Sequence, residues 1–540
     1  MGAFTRALRA LVLLAGFYLI GLVLLALLGL GDWALLTSGH HGIGIIRLVI
    51  LSVVIAVPLV RGLALVRTPR GEDPPGVELT PQEQPRLWEL VRKLAKAADT
   101  RAPARILLTA DVNASVTERT RLLGLVPGRR ELYLGLPLVQ GLTEAQLRGV
   151  LAHELGHYAH ADTRLSGLTS RVRGQVGRTV VHLQGESQEG EGKEGGEAKK
   201  RNFLHRWLAK MYIGYGTLVL RVTLQDARRQ EYAADLLAAR LAGRTATASA
   251  LRELPALKAS FGFYLDRYAF AGADQLLLPP RGEIFGGYGR LLGARQLELV
   301  EMRSELPHEP ASPYDSHPPL AARVRRVEEL PDDGRTDEGR EAAFALLDTP
   351  ETVLVALEDV ALKAPPFQSG TWSRAADWPD LLTRAMNDRL GDQDAPLPRA
   401  LVREKGTAGL PTLLAVIEAG ELWELARHLP ASAETRAAKG RARQAMLRPL
   451  LRAQLHRMVL ADFAVRGRLR WEFSWEGPHA AVLTGEGGAP LEEGAGSRED
   501  GGPALEHAIE AALADRPDTG PLRALCALGD GPHTPKDGLV

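Results

Sequence analysis

Two histidines four residues apart are the clearest chemical signal in this chain. His153 and His157 enclose Glu154 in the sequence His-Glu-Leu-Gly-His, an HExxH pattern within a helical stretch from Leu142 to Asp162. Because positions four apart lie on one face of a helix, both imidazoles can reach the same metal ion. Glu154 projects beside that ion, where its carboxylate can accept a proton from metal-bound water. The pattern predicts a catalytic zinc site, and the alternative is a solvated helix with two incidental histidines.

A catalytic zinc site needs a third protein ligand, and the sequence offers two candidates. His160 lies seven residues after His153 and could share its face. Two helical turns span about 10 Å, however, and zinc bonds are about 2 Å long, so a third ligand from one straight helix is awkward. The better candidate is Glu231, which opens a second helical segment, Glu231 to Leu241, that is rich in Ala, Leu and Arg. Asp235, one turn later, could orient a histidine ligand through its other ring nitrogen, although both carboxylates could equally be ordinary surface residues.

On these residues, the chain resembles the HtpX-like membrane zinc metallopeptidases, which are gluzincins and relatives of the CAAX prenyl endopeptidases. The resemblance begins with the HExxH pattern, Asp162 five residues beyond it, and a helix that starts Glu-Tyr-Ala-Ala-Asp. Three more stretches follow the family's order: Asn113-Ala114-Ser115, Glu131 to Leu138, and His317 to Val324. The resemblance covers roughly residues 1 to 330. It departs from the family at Ser115-Val116, which replace a small, Gly-rich continuation.

The resemblance implies a zinc site with three protein ligands: His153, His157 and Glu231. Zinc held in this way lowers the pKa of a bound water and polarises the scissile carbonyl. Glu154 is then the general base, which takes the water proton and returns it to the leaving amine. His317 is the implied donor to the transition-state oxyanion, with Arg323 close by on the following helix. The alternative is that His317 is a turn residue before two prolines. Asp162 is expected to support the site or the helix end rather than to react, and His160 is expected to be a surface or supporting histidine.

Two apolar stretches at the N-terminus predict a membrane anchor. Ala10 to Gly31 contains no charged residue and is long enough to span a hydrocarbon core. A secretory signal peptide would have a shorter apolar region and a small-residue cleavage site. Ile43 to Val66 forms the second stretch, and its Arg47 and Arg61 lie near its ends, where long side chains can reach the interface.

The distribution of basic residues predicts how this hairpin, residues 1–70, is oriented. The loop between the two stretches contains no Lys or Arg, whereas basic residues flank the hairpin: Arg6, Arg9, Arg61, Arg67 and Arg70. By the positive-inside rule both ends are cytoplasmic. The sequence therefore predicts a multi-pass protein of the plasma membrane whose catalytic domain faces the cytoplasm, with the lipid bilayer as one partner.

The segment between the two predicted zinc-site helices does not contain an obvious further span. Thr163 to Glu186 is an amphipathic stretch dotted with Arg, and the Gly- and Glu-rich residues 187–200 predict a disordered insert. Phe203 to Leu224 is apolar but interrupted by charges, and its uninterrupted part, Met211 to Leu220, is too short to cross a membrane. An interfacial or core helix near the membrane is the favoured interpretation, with a true span as the alternative.

Composition agrees with an anchored globular enzyme. The 540 residues carry a formal net charge of +1 and only 5% aromatic side chains, which argues against a nucleic-acid partner. Cys526 is the single cysteine, so an internal disulfide framework is excluded and a reducing compartment is expected.

The predicted fold class is mostly α with a small β-sheet. A gluzincin-type metallopeptidase domain is expected over residues 79–330, beginning with a helix from Pro81 to Ala98 that Thr80 caps. A linker, residues 331–339, then leads to a mainly helical C-terminal region, residues 340–540, of unknown role.

Within the C-terminal region, helical periodicity predicts four helices: Ala343 to Leu362, Asp380 to Leu390, Gly409 to His428 and Ala438 to Phe463. Alternating residues predict a hairpin from Leu469 to Phe473 and Ala480 to Thr484. The tryptophans of this region are expected to anchor its core or an interface: Trp372, Trp378, Trp423 and Trp471.

Two functions from different classes agree with the sequence. The first is a membrane-anchored zinc endopeptidase that cleaves membrane or misfolded proteins, as the resemblance implies. The second is a non-proteolytic membrane scaffold or sensor that retains a structural metal site. A structural zinc site is usually closed by four protein ligands and does not need Glu154, so three ligands and a base favour the enzyme.

Overall fold

A computed structural model describes parts of residues 12–37 and residues 74–121, 126–159, 196–307, 317–335, 341–365, 367–392, 394–483 and 502–527. The chain divides into two compact units. The first comprises Met1–Phe261 and Leu297–Ala364, and the second comprises Gly262–Gln296 and Pro365–Val540. The domain boundaries at residues 79, 330 and 340 remain predictions from the sequence.

The predicted transmembrane hairpin lies largely outside the described residues. Only scattered residues of Ala10 to Gly31 are described, and Ile43 to Val66 is not described at all. In the part of the chain that the structure describes, no helix is both long enough and apolar enough to cross a bilayer. The hairpin, and the cytoplasmic placement that depends on it, remain predictions.

A four-stranded sheet lies in the first unit. Its strands are β1 (Gly76–Leu79), β2 (Arg105–Thr109), β3 (Ala114–Arg121) and β4 (Val126–Gly135), in the order β1-β2-β4-β3. β2 and β4 pair parallel, whereas β1 and β3 are antiparallel to their neighbours. The apolar side chains of the two central strands are fully buried: Ile106, Leu108, Leu132 and Leu134. Within the described residues, β3 is an edge strand.

Three helices accompany the sheet: α1 (Pro85–Ala97), α2 (Leu136–Gly141) and α3 (Glu144–Gly156). The predicted start of the first helix at Pro81 is wrong. The Thr80 hydroxyl donates to Glu83 Oε2 over 2.7 Å and accepts from the Glu83 N–H over 3.3 Å, which closes a turn before the helix. α1 therefore begins at Pro85, whose fixed φ suits the first helical position.

The next helix, α4, is much longer than the sequence indicated. It runs from Gly196 to Ala242 over 47 residues, so the segment predicted to begin at Glu231 is its last part, and Phe203 to Leu224 lies within it. No Gly or Pro interrupts the chain from residue 217 to 242, and Gly243 ends the helix with a φ of 102°. The last five residues of the predicted disordered insert are helical here, because Glu, Ala and Lys are strong helix formers. Residues 187–195 of that insert lie outside the described chain.

Four further helices follow: α5 (Arg244–Tyr264), α6 (Glu283–Ala294), α7 (Gln296–Ser304) and α8 (Leu320–Glu328). α9 (Pro350–Ala361) completes the first unit. The predicted helix from Ala343 is wrong at its start, because residues 343–346 form a 3-10 turn and a new helix begins at Pro350.

The second unit is helical around its own apolar core. Its remaining elements are the short β5 (Leu277–Leu278) and β6 (Ser373–Arg374), α10 (Trp378–Gly391), α11 (Pro396–Lys405), α12 (Leu410–Glu418), α13 (Leu422–Leu425), α14 (Ala433–Ala437), α15 (Gly440–Val465), β7 (Leu469–Glu472), β8 (Ala480–Leu483), α16 (Gly502–Ala512) and α17 (Gly520–Ala527). α15 supplies much of the core, including Leu451, Val459 and Phe463.

Several predictions for the C-terminal region are confirmed. β7 and β8 pair antiparallel as the predicted hairpin, and Trp378 and Trp471 are buried. The helix predicted from Gly409 to His428 divides into α12 and α13, because Gly420 adopts a φ of 74° between them. The fold is thus mostly α with small sheets, as expected.

Candidate metal and catalytic site

The HExxH residues lie at the end of α3. A capping box fixes the start of this helix: the Thr143 side chain accepts from the Gln146 N–H, and the Gln146 side chain accepts from the Thr143 N–H. The helix ends at Gly156, earlier than the predicted Asp162, and His157 follows it in a helical conformation. The rings of His153 and His157 therefore still face each other, with their Nε2 atoms 3.2 Å apart.

A close approach between α3 and α4 brings the downstream carboxylates to these histidines. Gly156 lies against Ala234, and a Cβ added at Gly156 would come within 3.2 Å of the Ala234 Cα. Ala234 is itself buried. Because Glu231 and Asp235 are four residues apart on α4, both point from the same face of that helix towards α3. Gly156 of the motif therefore allows the two helices to pack this closely, because a side chain here would contact α4.

The three residues predicted to bind metal come together across these two helices. Glu231 Oε2 lies 3.7 Å from His153 Nε2, and Glu231 Oε1 lies 3.5 Å from His157 Nε2. One potential ligand atom from each residue can be chosen so that all lie within 4.8 Å of one another. The other candidate ligand, His160, and the predicted supporting residue Asp162 lie outside the described residues.

Asp235 lies behind His153, on the side away from Glu231. Its side chain is buried, and its Oδ1 is 2.9 Å from His153 Nδ1. Burial alone would raise the pKa of Asp235, but hydrogen bonds from Arg323 and His153 lower this pKa to about 2. This contact occupies Nδ1 of His153 and leaves its Nε2 directed at Glu231.

Two residues of the His317 to Val324 stretch also reach the site. Arg323, on α8, donates to Asp235 Oδ2 through Nε (2.9 Å) and to Oδ1 through Nη2 (2.7 Å). His317 precedes α8, and its Nδ1 lies 3.0 Å from Glu231 Oε2 while 67% of its side chain remains exposed. From the sequence, Arg323 is expected only near the oxyanion position, and its two bonds to Asp235 are not foreseen.

The electrostatics of the site fit a divalent cation. Glu231 Oε2 is buried and, among the described residues, receives no hydrogen bond of good geometry. The Nε2 atoms of His153 and His157 lie 3.7 and 3.5 Å from the two carboxylate oxygens of Glu231, so several potential metal-binding atoms converge. Burial and the neighbouring His153 lower the pKa of His157 to about 4, which keeps it in the neutral, metal-binding form. Two histidines and a carboxylate are a donor set that zinc accepts.

A cleft of about 720 Å³ opens beside these residues. Glu154 and His317 line it, together with Asn113, Ala114 and Ser115 at the start of the edge strand. Burial raises the pKa of Glu154 to about 7. Apolar side chains form much of the remaining wall, among them Leu251, Leu254 and Pro255 from α5. The cleft can therefore accept a segment of polypeptide next to the metal-binding residues.

Comparison with known proteins relates this arrangement to a family. Residues 81–331 match the profile of Peptidase family M48. The Protease HtpX homolog of Kineococcus radiotolerans is 29% identical over 257 residues, which cover 46% of this chain and 74% of that protein. The Protease HtpX homolog of Pelotomaculum thermopropionicum is 27% identical over 166 residues, 30% of this chain and 56% of that protein.

A third relative, Protease HtpX of Sodalis glossinidius, is 29% identical over 185 residues, 32% of this chain and 61% of that protein. The chain thus spans less than two thirds of the second and third of these relatives. No solved structure matches it. The M48 match contains all four residues of the metal and base cluster, from His153 to Glu231. Residues 81–331 therefore resemble the M48 peptidases, and the chain is similar to the HtpX proteases over this region.

Proposed function

We propose that this chain is a zinc-dependent endopeptidase. The observation that carries the proposal is the convergence of one carboxylate from α4 on the two HExxH imidazoles of α3, within 4.8 Å, in a region that matches the M48 family. The proposed metal ligands are His153, His157 and Glu231. The proposed general base is Glu154, which lines the cleft beside them.

The surrounding residues prepare these ligands. A zinc ion bound here supplies Lewis-acid polarisation of the scissile carbonyl and activation of water. Asp235 holds His153 through Nδ1, which fixes the tautomer that presents Nε2 to the metal. Arg323 neutralises and orients Asp235 through its two hydrogen bonds.

Glu154 moves the proton in the proposed reaction. Its carboxylate takes a proton from the attacking water and delivers it to the leaving amine as the peptide bond breaks. His317 serves as a donor to the oxyanion. It lines the cleft next to Glu231, and most of its side chain is exposed. Substrate lies in an extended form beside Ala114 of β3, whose outer side has no strand partner among the described residues and can pair with a peptide.

The substrate class and the location rest on the sequence. The HtpX resemblance and the predicted hairpin, residues 1–70, support a protease of the plasma membrane that acts on membrane or misfolded proteins from the cytoplasmic side. The described cleft is compatible with any extended polypeptide, because its walls are mainly apolar and its chemistry is directed at the peptide bond.

Two substitutions test the proposal against the scaffold alternative. With casein as substrate, Glu154→Gln is expected to abolish cleavage while the purified protein keeps its zinc, because Glu154 is not among the proposed ligands. Glu231→Ala is expected to lower bound zinc, measured by atomic absorption, and to abolish cleavage as well. Equal cleavage by the wild type and Glu154→Gln would refute the assigned base. An inactive wild type that retains zinc would favour a structural metal site.

A further inference from the structure

Tyr158, the first residue beyond the HExxH motif, is held in place at three points. Its hydroxyl donates to the backbone carbonyl of Val116 in β3 over 2.6 Å. Its own backbone carbonyl accepts from the Thr100 hydroxyl over 2.9 Å. The Arg130 guanidinium stacks over its ring, 4.7 Å from the ring centre.

The pairing of β3 with β4 shows which backbone groups Tyr158 meets. In an antiparallel pair, alternate residues direct both backbone groups at the partner strand, and the residues between them direct theirs away. Gly135 donates its N–H to the carbonyl of Asn113, so Asn113 faces β4. Ser115 then also faces β4, whereas Ala114 and Val116 direct their backbone groups to the side on which no further strand lies among the described residues. Tyr158 occupies the second of these two edge positions.

The lining of the cleft reaches this part of the strand. Asn113, Ala114 and Ser115 line it, and the contact between Tyr158 and the Val116 carbonyl follows directly after them. An extended peptide that lies along this edge can therefore pair with Ala114 next to the metal-binding residues. Two residues further along the strand, the acceptor that continued pairing needs is already bound to the Tyr158 hydroxyl.

Neighbouring side chains keep this obstruction rigid. Arg130 donates to the Thr100 hydroxyl over 2.7 Å and to the carbonyl of Arg101 over 3.1 Å. Glu118, also on β3, lies 3.5 Å from Arg130 Nε and 2.6 Å from Arg101 Nη2. The Tyr158 ring is thus fixed by the hydrogen bond of its own backbone carbonyl to Thr100 and by the Arg130 guanidinium, which pairs with Glu118 on β3.

We propose that Tyr158 sets the extent of substrate pairing by closing the edge of β3 at Val116. The proposal rests on the proposed peptidase function and makes Tyr158 a specificity-determining residue rather than a catalytic one. On the Val116 side of the scissile bond, peptides gain affinity until they pair with Ala114 and gain little from further residues.

The test is peptide binding in the Glu154→Gln background of the full-length, zinc-loaded chain. Fluorescently labelled peptides, lengthened by one residue at a time at either end, are titrated and followed by fluorescence anisotropy. Tyr158→Phe removes the hydroxyl and keeps the ring under Arg130. The matched control is Tyr232→Phe, because Arg326 also stacks on the Tyr232 ring at 4.7 Å.

With Tyr158 present, affinity is expected to level off as peptides grow in one direction. Tyr158→Phe is expected to restore the length dependence in that direction, with a gain of roughly three- to tenfold for peptides long enough to reach Val116, the worth of about one hydrogen bond. Short peptides, and all peptides with Tyr232→Phe, are expected to bind as before.

Other outcomes overturn the proposal. Identical affinities for both Tyr158 forms at every length mean that the edge is not limiting. A uniform loss of affinity at all lengths assigns Tyr158 a purely structural role. If no peptide binds at any length, the proposal that Tyr158 limits substrate pairing is also refuted. Casein cleavage by the unmodified chain, with its loss in Glu154→Gln, decides separately whether the peptidase function itself holds.

Discussion

Asp235→Asn is the most informative perturbation of this site, because one oxygen of Asp235 serves two partners. Oδ1 contacts both Arg323 Nη2 and His153 Nδ1, and Oδ2 accepts from Arg323 Nε. An asparagine has nearly the same shape but only one acceptor oxygen. In either orientation of its amide, an NH₂ group faces an N–H group of Arg323. If the NH₂ group replaces Oδ1, it also meets His153 Nδ1 and favours the tautomer that withholds Nε2 from the metal.

The structure sets the size of two separate effects. Arg323 and Asp235 are both buried, and removing the charge of one member of a buried pair costs about 3–5 kcal/mol of folding stability. Losing the partner that orients a histidine ligand lowers metal affinity by roughly 10- to 100-fold. The remaining attraction of Glu231 Oε2 for Arg323 Nη1, 3.5 Å away, places the stability loss towards the lower end of that range.

A second, partly buried pair of a carboxylate and a guanidinium provides the control. Glu253 is buried, and its Oε2 accepts from Arg303 Nε over 2.8 Å, but Glu253 does not line the cleft. Glu253→Gln therefore makes the same carboxylate-to-amide change against a guanidinium at a distance from the candidate ligands. Stability is measured by urea unfolding of the metal-free proteins, so that zinc does not contribute. Zinc affinity is measured by competition with a chromophoric chelator.

Both variants are expected to lose stability, and only Asp235→Asn is expected to lose zinc affinity. Equal zinc affinities in the wild type and Asp235→Asn would show that the contact with His153 Nδ1 does not prepare the ligand. Equal losses of zinc affinity in both variants would mean that general destabilisation, rather than the orientation of His153, explains the effect.

Two further predictions concern the helix crossing and the membrane. Gly156→Ala is expected to lower stability by about 1–3 kcal/mol and to lower bound zinc, because its Cβ would lie 3.2 Å from the Ala234 Cα and push α4 away. Unfolding curves and metal analysis measure the two effects, and unchanged zinc content would show that the crossing tolerates the methyl group. Reporter fusions after Arg70 are expected to give a cytoplasmic signal in whole cells, since basic residues flank the predicted hairpin; an extracytoplasmic signal would overturn the predicted topology.

Local signals in the sequence were sufficient for some elements and misleading for others. The β7–β8 hairpin follows from simple alternation, and its register is set by short-range pairing. The start of α1 could not be read from Thr80 and Pro81, because the Thr80 side chain closes a turn with Glu83 instead of capping the helix. The full length of α4 could not be predicted either. Residues 187–200 are rich in Gly, which predicts disorder, although the last five of these residues include helix formers and belong to the helix.

The chemistry of the site was more predictable than its packing. The HExxH spacing predicts two imidazole ligands and a base, and helix geometry already favours Glu231 over His160 before the family resemblance is considered. No residue pattern predicts that Arg323 donates two hydrogen bonds to Asp235, because this contact joins positions 88 apart in the chain. The position of Tyr158 over Val116 is likewise a tertiary contact, between residues 42 apart.

The register of α4 is the physical quantity on which the whole site depends. Glu231 meets the Nε2 side of His153, and Asp235 meets its Nδ1 side. A shift of α4 by one residue would turn its side chains by about 100°, so no neighbouring register presents both carboxylates to the same imidazole. The contact of Gly156 with Ala234 fixes this register at the point between the two carboxylates. The small residues of the crossing therefore position the candidate ligands, although they take no part in the proposed chemistry.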